Sequence, residues 1–301
     1  MLCVLWRKYM FSRVKKVFGA LVPYSQLIRL HSCEISLLAT FPTCASIVLA
    51  SNSLYSVLKL FVLVAIGALV VRSAGCIIND IFDRNIDIHV HRTKSRPIAC
   101  GRLKVREGLC ALAVLLCIAG VILLFTNKLS LYLSIICFCG VVLYPLMKRF
   151  FSYPQFVLGI VWNFGILIGS AMAANEVKFG SILLYIGCIF WTTAFDTIYA
   201  HQDKVDDARL GLGSTALKFG DNTGLYVKRL YILTITMWVC AGVVSSLSWP
   251  YYVFILKSAG VFYYQWRKTD FDNPARCMYM FKTNIYAGIL LFLGVCLGRI
   301  V

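Results

Sequence analysis

Successive apolar runs, each about as long as a bilayer crossing, constrain this chain more than anything else in it. A hydrocarbon core about 30 Å thick takes about 20 largely apolar residues per helical span. Nine such runs are legible, at 30–51, 57–78, 108–126, 129–147, 154–174, 179–200, 229–247, 250–265 and 283–300, separated by short polar loops. The composition agrees, because 60% of the 301 residues are hydrophobic, only 14% are charged and mean hydropathy is +0.78, beyond what a soluble globular surface carries. The expected fold is therefore an all-α integral membrane bundle of about nine transmembrane helices, forming a single domain over 1–301.

In a soluble protein a net charge of +17 would suggest nucleic acid, but here the placement of the charge along the loops argues against such a partner. Basic residues concentrate before the first run and in the loops after the second, fourth, sixth and eighth, whereas Lys59, Lys128, Lys178 and Arg299 fall on the other side. The positive-inside rule then puts the N-terminus and the large loops in the cytosol. Anionic headgroups attract the same surface. The expected location is a bacterial plasma membrane, or a mitochondrial inner membrane for a eukaryotic source. The segment 4–22 is basic, free of acids and able to form an amphipathic surface helix. Nothing at the N-terminus reads as a cleaved signal peptide, because the first long apolar run is of span length. The thirteen cysteines lie mostly inside runs with no C-x-x-C pair, so they read as small packing residues.

Acids are scarce and unevenly placed. An ionised side chain at mid-span costs about 2.5 to 3.5 kcal/mol on the insertion scale, so an acid at a span end needs a reason. Seven of the thirteen acids fall in two clusters, both closing even-numbered runs. In the first, Asn79, Asp83 and Asp87 follow at i, i+4 and i+8 on one helical stripe with Asp80 beside them. In the second, Asp196, Tyr199, Asp203 and Asp207 stand at i, i+3, i+7 and i+11, with Asp206 pointing elsewhere. Stacked carboxylates repel unless a cation lies between them, and Mg²⁺ suits oxygen ligands, using one or two carboxylates and completing its octahedron with water and phosphate. Two such helix ends on one membrane face are suited to holding two metal ions around one diphosphate. Ordinary acidic loops balancing a basic surface would not need helical spacing.

Basic groups complete this set. Arg92, Lys94 and Arg96 follow the first stripe and are placed to reach diphosphate oxygens, although a topogenic loop would look similar. Arg72 lies inside an apolar run, seven residues before Asn79 on the same face, and needs a counter-charge from either a motif aspartate or an acidic substrate. Lys148 and Arg149 are similar candidates after the fourth run. Asn163 reads as a helix-contact hydrogen bond, and Trp162, Gly165 and Gly169 read as close helix packing. No nucleotide-binding glycine fingerprint is present in the sequence.

At these residues the chain resembles the UbiA-type membrane prenyltransferases over nearly its whole length. Asn79, Asp80, Asp83 and Asp87 match the family's N-D-x-x-D-x-x-x-D pattern, and Tyr199 to Lys204 followed by Asp206 and Asp207 resembles its hydroxybenzoate branch. Further matches are Arg92-Thr93 to Arg96-Pro97, Tyr144 to Arg149, Asn273-Pro274, Phe281-Lys282 and Asn284. The stretch Arg29 to Glu34 lacks the expected proline and glycine, and Glu34 has no evident role. The resemblance implies a nine-helix bundle around a central cavity, a cap over the acidic motifs and a lateral opening for a lipid tail.

It also implies transfer of a polyprenyl group from a Mg²⁺-bound polyprenyl diphosphate to 4-hydroxybenzoate in ubiquinone biosynthesis. Asn79, Asp80, Asp83, Asp87, Asp203 and Asp207 would hold metal, and Arg92, Lys94 and Arg96 the diphosphate. Arg72, Lys148 or Arg149 would hold the acceptor carboxylate, and Asp196 or Tyr199 would orient the aromatic ring or take up a proton. No obligate protein partner is evident. The alternatives are another aromatic or quinone precursor as acceptor, or an ion-coupled transporter.

Overall fold

The computed structural model describes residues 19, 21–51 and 54–300, which fold entirely as helices, turns and loops, with no strand among them. The basic segment 4–22 lies almost wholly outside the described residues. After α1 (21–27), Arg29 adopts a left-handed conformation (φ 56°), and a 3₁₀ stretch Leu30–Ser36 leads into α2 (Leu37–Ala50). The first crossing is thus kinked and begins earlier than residue 30. A single positive φ at a non-glycine position leaves no periodic signal in a sequence.

The remaining helices cover the apolar runs, although those over Thr223–Val244 and Pro274–Ile300 begin six and nine residues before the expected starts at 229 and 283. They are α3 (Leu54–Phe82), the short α4 (Arg84–Asp87), α5 (Val105–Leu123), α6 (Lys128–Met147), α7 (Pro154–Trp162), α8 (Gly165–Ala174) and α9 (Phe179–Ala200). Then come the short α10 (Lys204–Leu210) and α11 (Thr215–Phe219), and the long α12 (Thr223–Val244), α13 (Trp249–Lys268) and α14 (Pro274–Ile300). Among the described residues eight helical segments are long and apolar enough to cross a membrane, so the chain is a multi-pass membrane protein. The ninth expected crossing, α13, has the length but not the apolarity, since Lys257 and Gln265 interrupt it.

The expected span 154–174 is one crossing made of two helices. They part at Asn163, whose side-chain amide donates to the carbonyls of Gly159 (2.9 Å) and Cys188 (3.0 Å) and to Thr192 Oγ1 (2.7 Å). Asn163 therefore ties α7 to α9 by hydrogen bonds, as its place in an apolar run suggested. Gly165 and Gly169 lie against Thr43 of α2, where a Cβ would come within 2.6 Å of Thr43 Oγ1 and 3.0 Å of its carbonyl oxygen respectively.

Burial sorts the helices into layers. Most of α9 is buried, whereas α5 and α6 expose Leu109, Val114, Ile118, Ile136 and Leu143 to the surrounding lipid. Around α9 the interior is aromatic. Trp191 meets Trp238 of α12 edge-on at 5.6 Å and Phe195 at 5.4 Å, and Trp191 Nε1 donates to Asn284 Oδ1 (2.8 Å). The α9–α12 approach depends on Gly187, because a Cβ there would lie 2.6 Å from Cδ1 of the fully buried Trp238. Gly187→Ala is expected to destabilise the fold by about 1–3 kcal/mol through overpacking. A thermal melt of the purified protein in detergent checks this, and an unchanged midpoint would contradict it.

Candidate active site

The first acidic cluster sits where α3 stops. Asp83 leaves the helical region (φ −92°, ψ 4°), but its carbonyl accepts the N–H of Ile86 and of Asp87 at 2.8 Å each, so the stripe bends without losing register. Asp80, Asp83 and Asp87 are 1%, 0% and 3% exposed. Buried carboxylates require cationic neighbours, and these come from three separate parts of the chain. Arg29 reaches Asp80 at 2.6 Å, Arg96 bridges Asp80 (3.3 Å) and Asp87 (2.7 Å), and Asp83 faces Lys148 (2.5 Å) and Arg149 (3.5 Å). Burial works against the charge on Arg96, yet Asp80 and Asp87 outweigh it and hold its pKa above the ordinary value.

The second cluster closes α9. The helix tightens into a 3₁₀ turn over His201–Asp203 before α10, so its stripe is not one continuous α-helix. Even so, Asp196, Tyr199, Asp203 and Asp207 all face the same small cavity, of about 190 Å³. Arg92 joins the clusters. Its Nε and Nη2 form a fork on Asp203 (2.9 and 2.5 Å), and its Nη1 donates to the Tyr199 hydroxyl at 2.9 Å. Asp206 turns away and accepts the backbone N–H of His91 at 2.9 Å, which ties α10 to the loop carrying Arg92.

Asn79, Asp87, Arg92, Arg96 and Lys148 line this small cavity from the side of the first cluster, so the two acidic helix ends enclose one polar pocket. Next to it lies a much larger cavity, about 1280 Å³, sharing Asn79, Arg92, Arg96, Asp196 and Tyr199 in its wall and running up α3 as far as Leu63. Most of its wall is apolar. Arg72 is an exception, donating to Ser32 Oγ (3.0 Å) and to the carbonyl of Arg29 (3.4 Å). Among the described residues Arg72 has no ion-pair partner, so the pairing with a motif aspartate does not occur. Arg29 takes that aspartate instead.

Two other candidates stand differently from their sequence reading. Lys94 is exposed and lines neither cavity, because Arg92 and Arg96, one helical turn apart in a looping segment, point inward while Lys94 between them points out. Arg149 is held by Asp83 and donates to the Phe82 carbonyl (2.7 Å), and it too lines neither cavity. Lys148 faces the small polar cavity rather than the large one. Glu34, without a role in the sequence, faces Lys282 of α14 at 3.2 Å. Arg29 escaped the sequence reading because a basic residue directly before an apolar run reads as a membrane anchor. Its ion pair spans 51 positions.

The donor set suits a hard divalent cation bound together with a phosphate. Asp80 Oδ2 is buried and accepts no hydrogen bond, and the two buried oxygens of Asp83 are met only by the ion pairs with Lys148 and Arg149. No three His, Cys, Asp or Glu side chains converge as a preformed cage among the described residues. Mg²⁺ does not need one, since substrate phosphate and water supply most of its ligands.

Comparison with known proteins places this geometry in context. The UbiA prenyltransferase family matches residues 39–294. A 4-hydroxybenzoate geranyltransferase of Lithospermum erythrorhizon is 41% identical over 279 residues, covering 92% of this chain and 91% of its own. A 4-hydroxybenzoate octaprenyltransferase of Pseudomonas aeruginosa is 36% identical over 289 residues, covering 95% of this chain and 97% of its own. A solved UbiA homolog from Archaeoglobus fulgidus, bound to GPP and Mg²⁺, shares the fold with a TM-score of 0.61 at 17% identity, over 92% of this chain and 98% of that one.

Proposed function

The chain belongs to the UbiA prenyltransferase family, and from that premise we propose that it moves a polyprenyl group from a polyprenyl diphosphate to 4-hydroxybenzoate, within ubiquinone biosynthesis. One observation carries this reading. Two acidic helix ends, the first of them buried, enclose a polar pocket, and that pocket adjoins a large, mostly apolar cavity whose wall holds a cation, Arg72, with no acid within ion-pairing distance among the described residues. Diphosphate, prenyl tail and aromatic carboxylate each have a matching region. The relatives named for 4-hydroxybenzoate transfer support the choice of acceptor.

Asn79, Asp80, Asp83 and Asp87 on one side and Asp203 and Asp207 on the other would hold Mg²⁺, as the Mg²⁺ in the Archaeoglobus homolog suggests. The metal, when bound, neutralises diphosphate oxygens and so makes the group a better leaving group. Arg92, Arg96 and Lys148 line the same pocket and exchange their carboxylate partners for diphosphate oxygens as the substrate enters. They stabilise the charge that grows when the bond between C1 of the prenyl chain and the bridging oxygen breaks. The apolar walls keep water from the allylic cation. A ring carbon ortho to the acceptor hydroxyl forms the new C–C bond, and the displaced ring proton restores aromaticity on leaving. Asp196 and Tyr199, which line both cavities, orient the phenol and receive that proton. By the positive-inside rule the basic loops beside the pocket favour the cytosolic face for this chemistry, or the matrix face in a mitochondrion.

The test supplies membranes containing the chain with a polyprenyl diphosphate and ring-labelled 4-hydroxybenzoate, with and without Mg²⁺. The expected result is a lipid-soluble, 3-prenylated product that forms only with Mg²⁺. Product from a different aromatic, and none from 4-hydroxybenzoate, would overturn the acceptor assignment.

A further inference from the structure

The large cavity is unequal along its length, and this bears on which prenyl donors fit. On α3 its wall runs from Asp80 through Arg72 to Leu63, and above Arg72 it is formed by Val71, Ala68, Gly67 and Val64, with no polar side chain. On α5 it is formed by Leu116, Ala119, Gly120 and Leu123. The two helices run antiparallel, and their register follows from Gly108, whose Cβ would touch Ile81 (3.6 Å) and Ile77 (3.8 Å). Gly108 is therefore level with Asn79, which lies midway between those isoleucines.

Gly67 is 12 residues before Asn79 and Gly120 is 12 residues after Gly108, so the two glycines stand at one level. At about 1.5 Å per residue that level is about 18 Å from the acidic pocket. A Cβ built at either glycine has nothing within 4 Å, in contrast to the crowded glycines between α9 and α12. Both glycines line the cavity, which is open at this level where their side chains are absent.

We propose that Gly67 and Gly120 form a selectivity ring for prenyl-chain length, the gap through which the tail of a long donor passes. The inference rests on the proposed function, which puts the diphosphate in the acidic pocket. Each isoprene unit adds about 5 Å of extended chain, being four backbone bonds of about 1.5 Å with bends between them. Geranyl and farnesyl tails, of two and three units, end short of the ring. Tails of four or more units reach it, and an octaprenyl tail extends well beyond.

The experiment compares kcat/KM for geranyl and octaprenyl diphosphate in the unaltered chain, in Gly67→Leu, in Gly120→Leu and in the two alanine variants. A ratio taken within each variant removes differences in folded yield. The unaltered chain is expected to use both donors. Each leucine variant should keep geranyl transfer and lose tenfold or more in the octaprenyl-to-geranyl ratio, with a smaller loss for alanine. A ratio unchanged by leucine overturns the ring, as does equal loss with both donors, or an unaltered chain that uses geranyl but not octaprenyl diphosphate. No transfer from either donor by the unaltered chain overturns the proposed function, and this inference with it.

Discussion

Asp83→Asn is expected to lower prenyl transfer about 10³-fold or more while the protein still accumulates in membranes. Removing one well-placed electrostatic partner from an active site costs about 10²–10³ in rate, and Asp83 would serve both as a metal ligand and as the counter-charge of Lys148. The alternative cause of a loss is structural, because breaking one side of a buried ion pair costs about 3–5 kcal/mol. Transfer normalised to folded protein separates the two, because a purely structural defect lowers the amount of folded protein and leaves the rate per folded molecule and its Mg²⁺ dependence unchanged. Asp83→Asn is expected to lose the rate per folded molecule and to need more Mg²⁺ for what remains, and a normal rate per folded molecule would contradict the ligand role.

Arg72→Ala is expected to raise the KM for 4-hydroxybenzoate about 10–100-fold while leaving the KM for the donor close to its original value. A hydrogen bond to a charged group contributes about 1.5–3 kcal/mol, which corresponds to that range. Asp80, Asp83, Asp87 and Asp203 each have a cationic neighbour within ion-pairing distance, whereas Arg72 lies in the mostly apolar cavity wall with no acid at that distance among the described residues, its hydrogen bonds going to Ser32 Oγ and a carbonyl. An acceptor carboxylate completes it. The uncharged 4-hydroxybenzamide should be a poor acceptor for the unaltered chain, and Arg72→Ala should narrow the gap between amide and acid. If Arg72 merely holds Arg29 against Asp80 through the Arg29 carbonyl, donor and acceptor constants would worsen together and the discrimination would persist.

Helix positions followed from apolar run length, because each crossing must satisfy a bilayer regardless of its neighbours. The acidic stripes followed for a related reason, since 3.6-residue spacing survives small irregularities. At Asp83 and at His201–Asp203 the helices break or tighten, yet Asn79 and Asp87 on one side and Asp196, Tyr199, Asp203 and Asp207 on the other still face one pocket, while Asp83 itself lines neither cavity and is turned to Lys148 and Arg149. What local pattern could not record is which cation meets which acid. Arg29, Arg96 and Lys148 converge on the first stripe from separate loops. The direction of Lys94 likewise depends on how its loop folds back, and the split of the fifth crossing at Asn163 depends on partners in α9. The large cavity has no sequence signature of its own, being the space left by helices whose lining residues are as apolar as those facing lipid.

A structure of the purified chain with Mg²⁺ and a non-hydrolysable thiodiphosphate analogue of farnesyl diphosphate tests the central claim most directly. The claim predicts metal density between the Asp80–Asp87 segment and Asp203 or Asp207, with Arg92 and Lys148 drawn from their carboxylates to the diphosphate. It also predicts the farnesyl tail running along α3 past Arg72. Diphosphate bound elsewhere, or bound with the Arg92–Asp203 and Lys148–Asp83 pairs intact and no metal between the clusters, would contradict it.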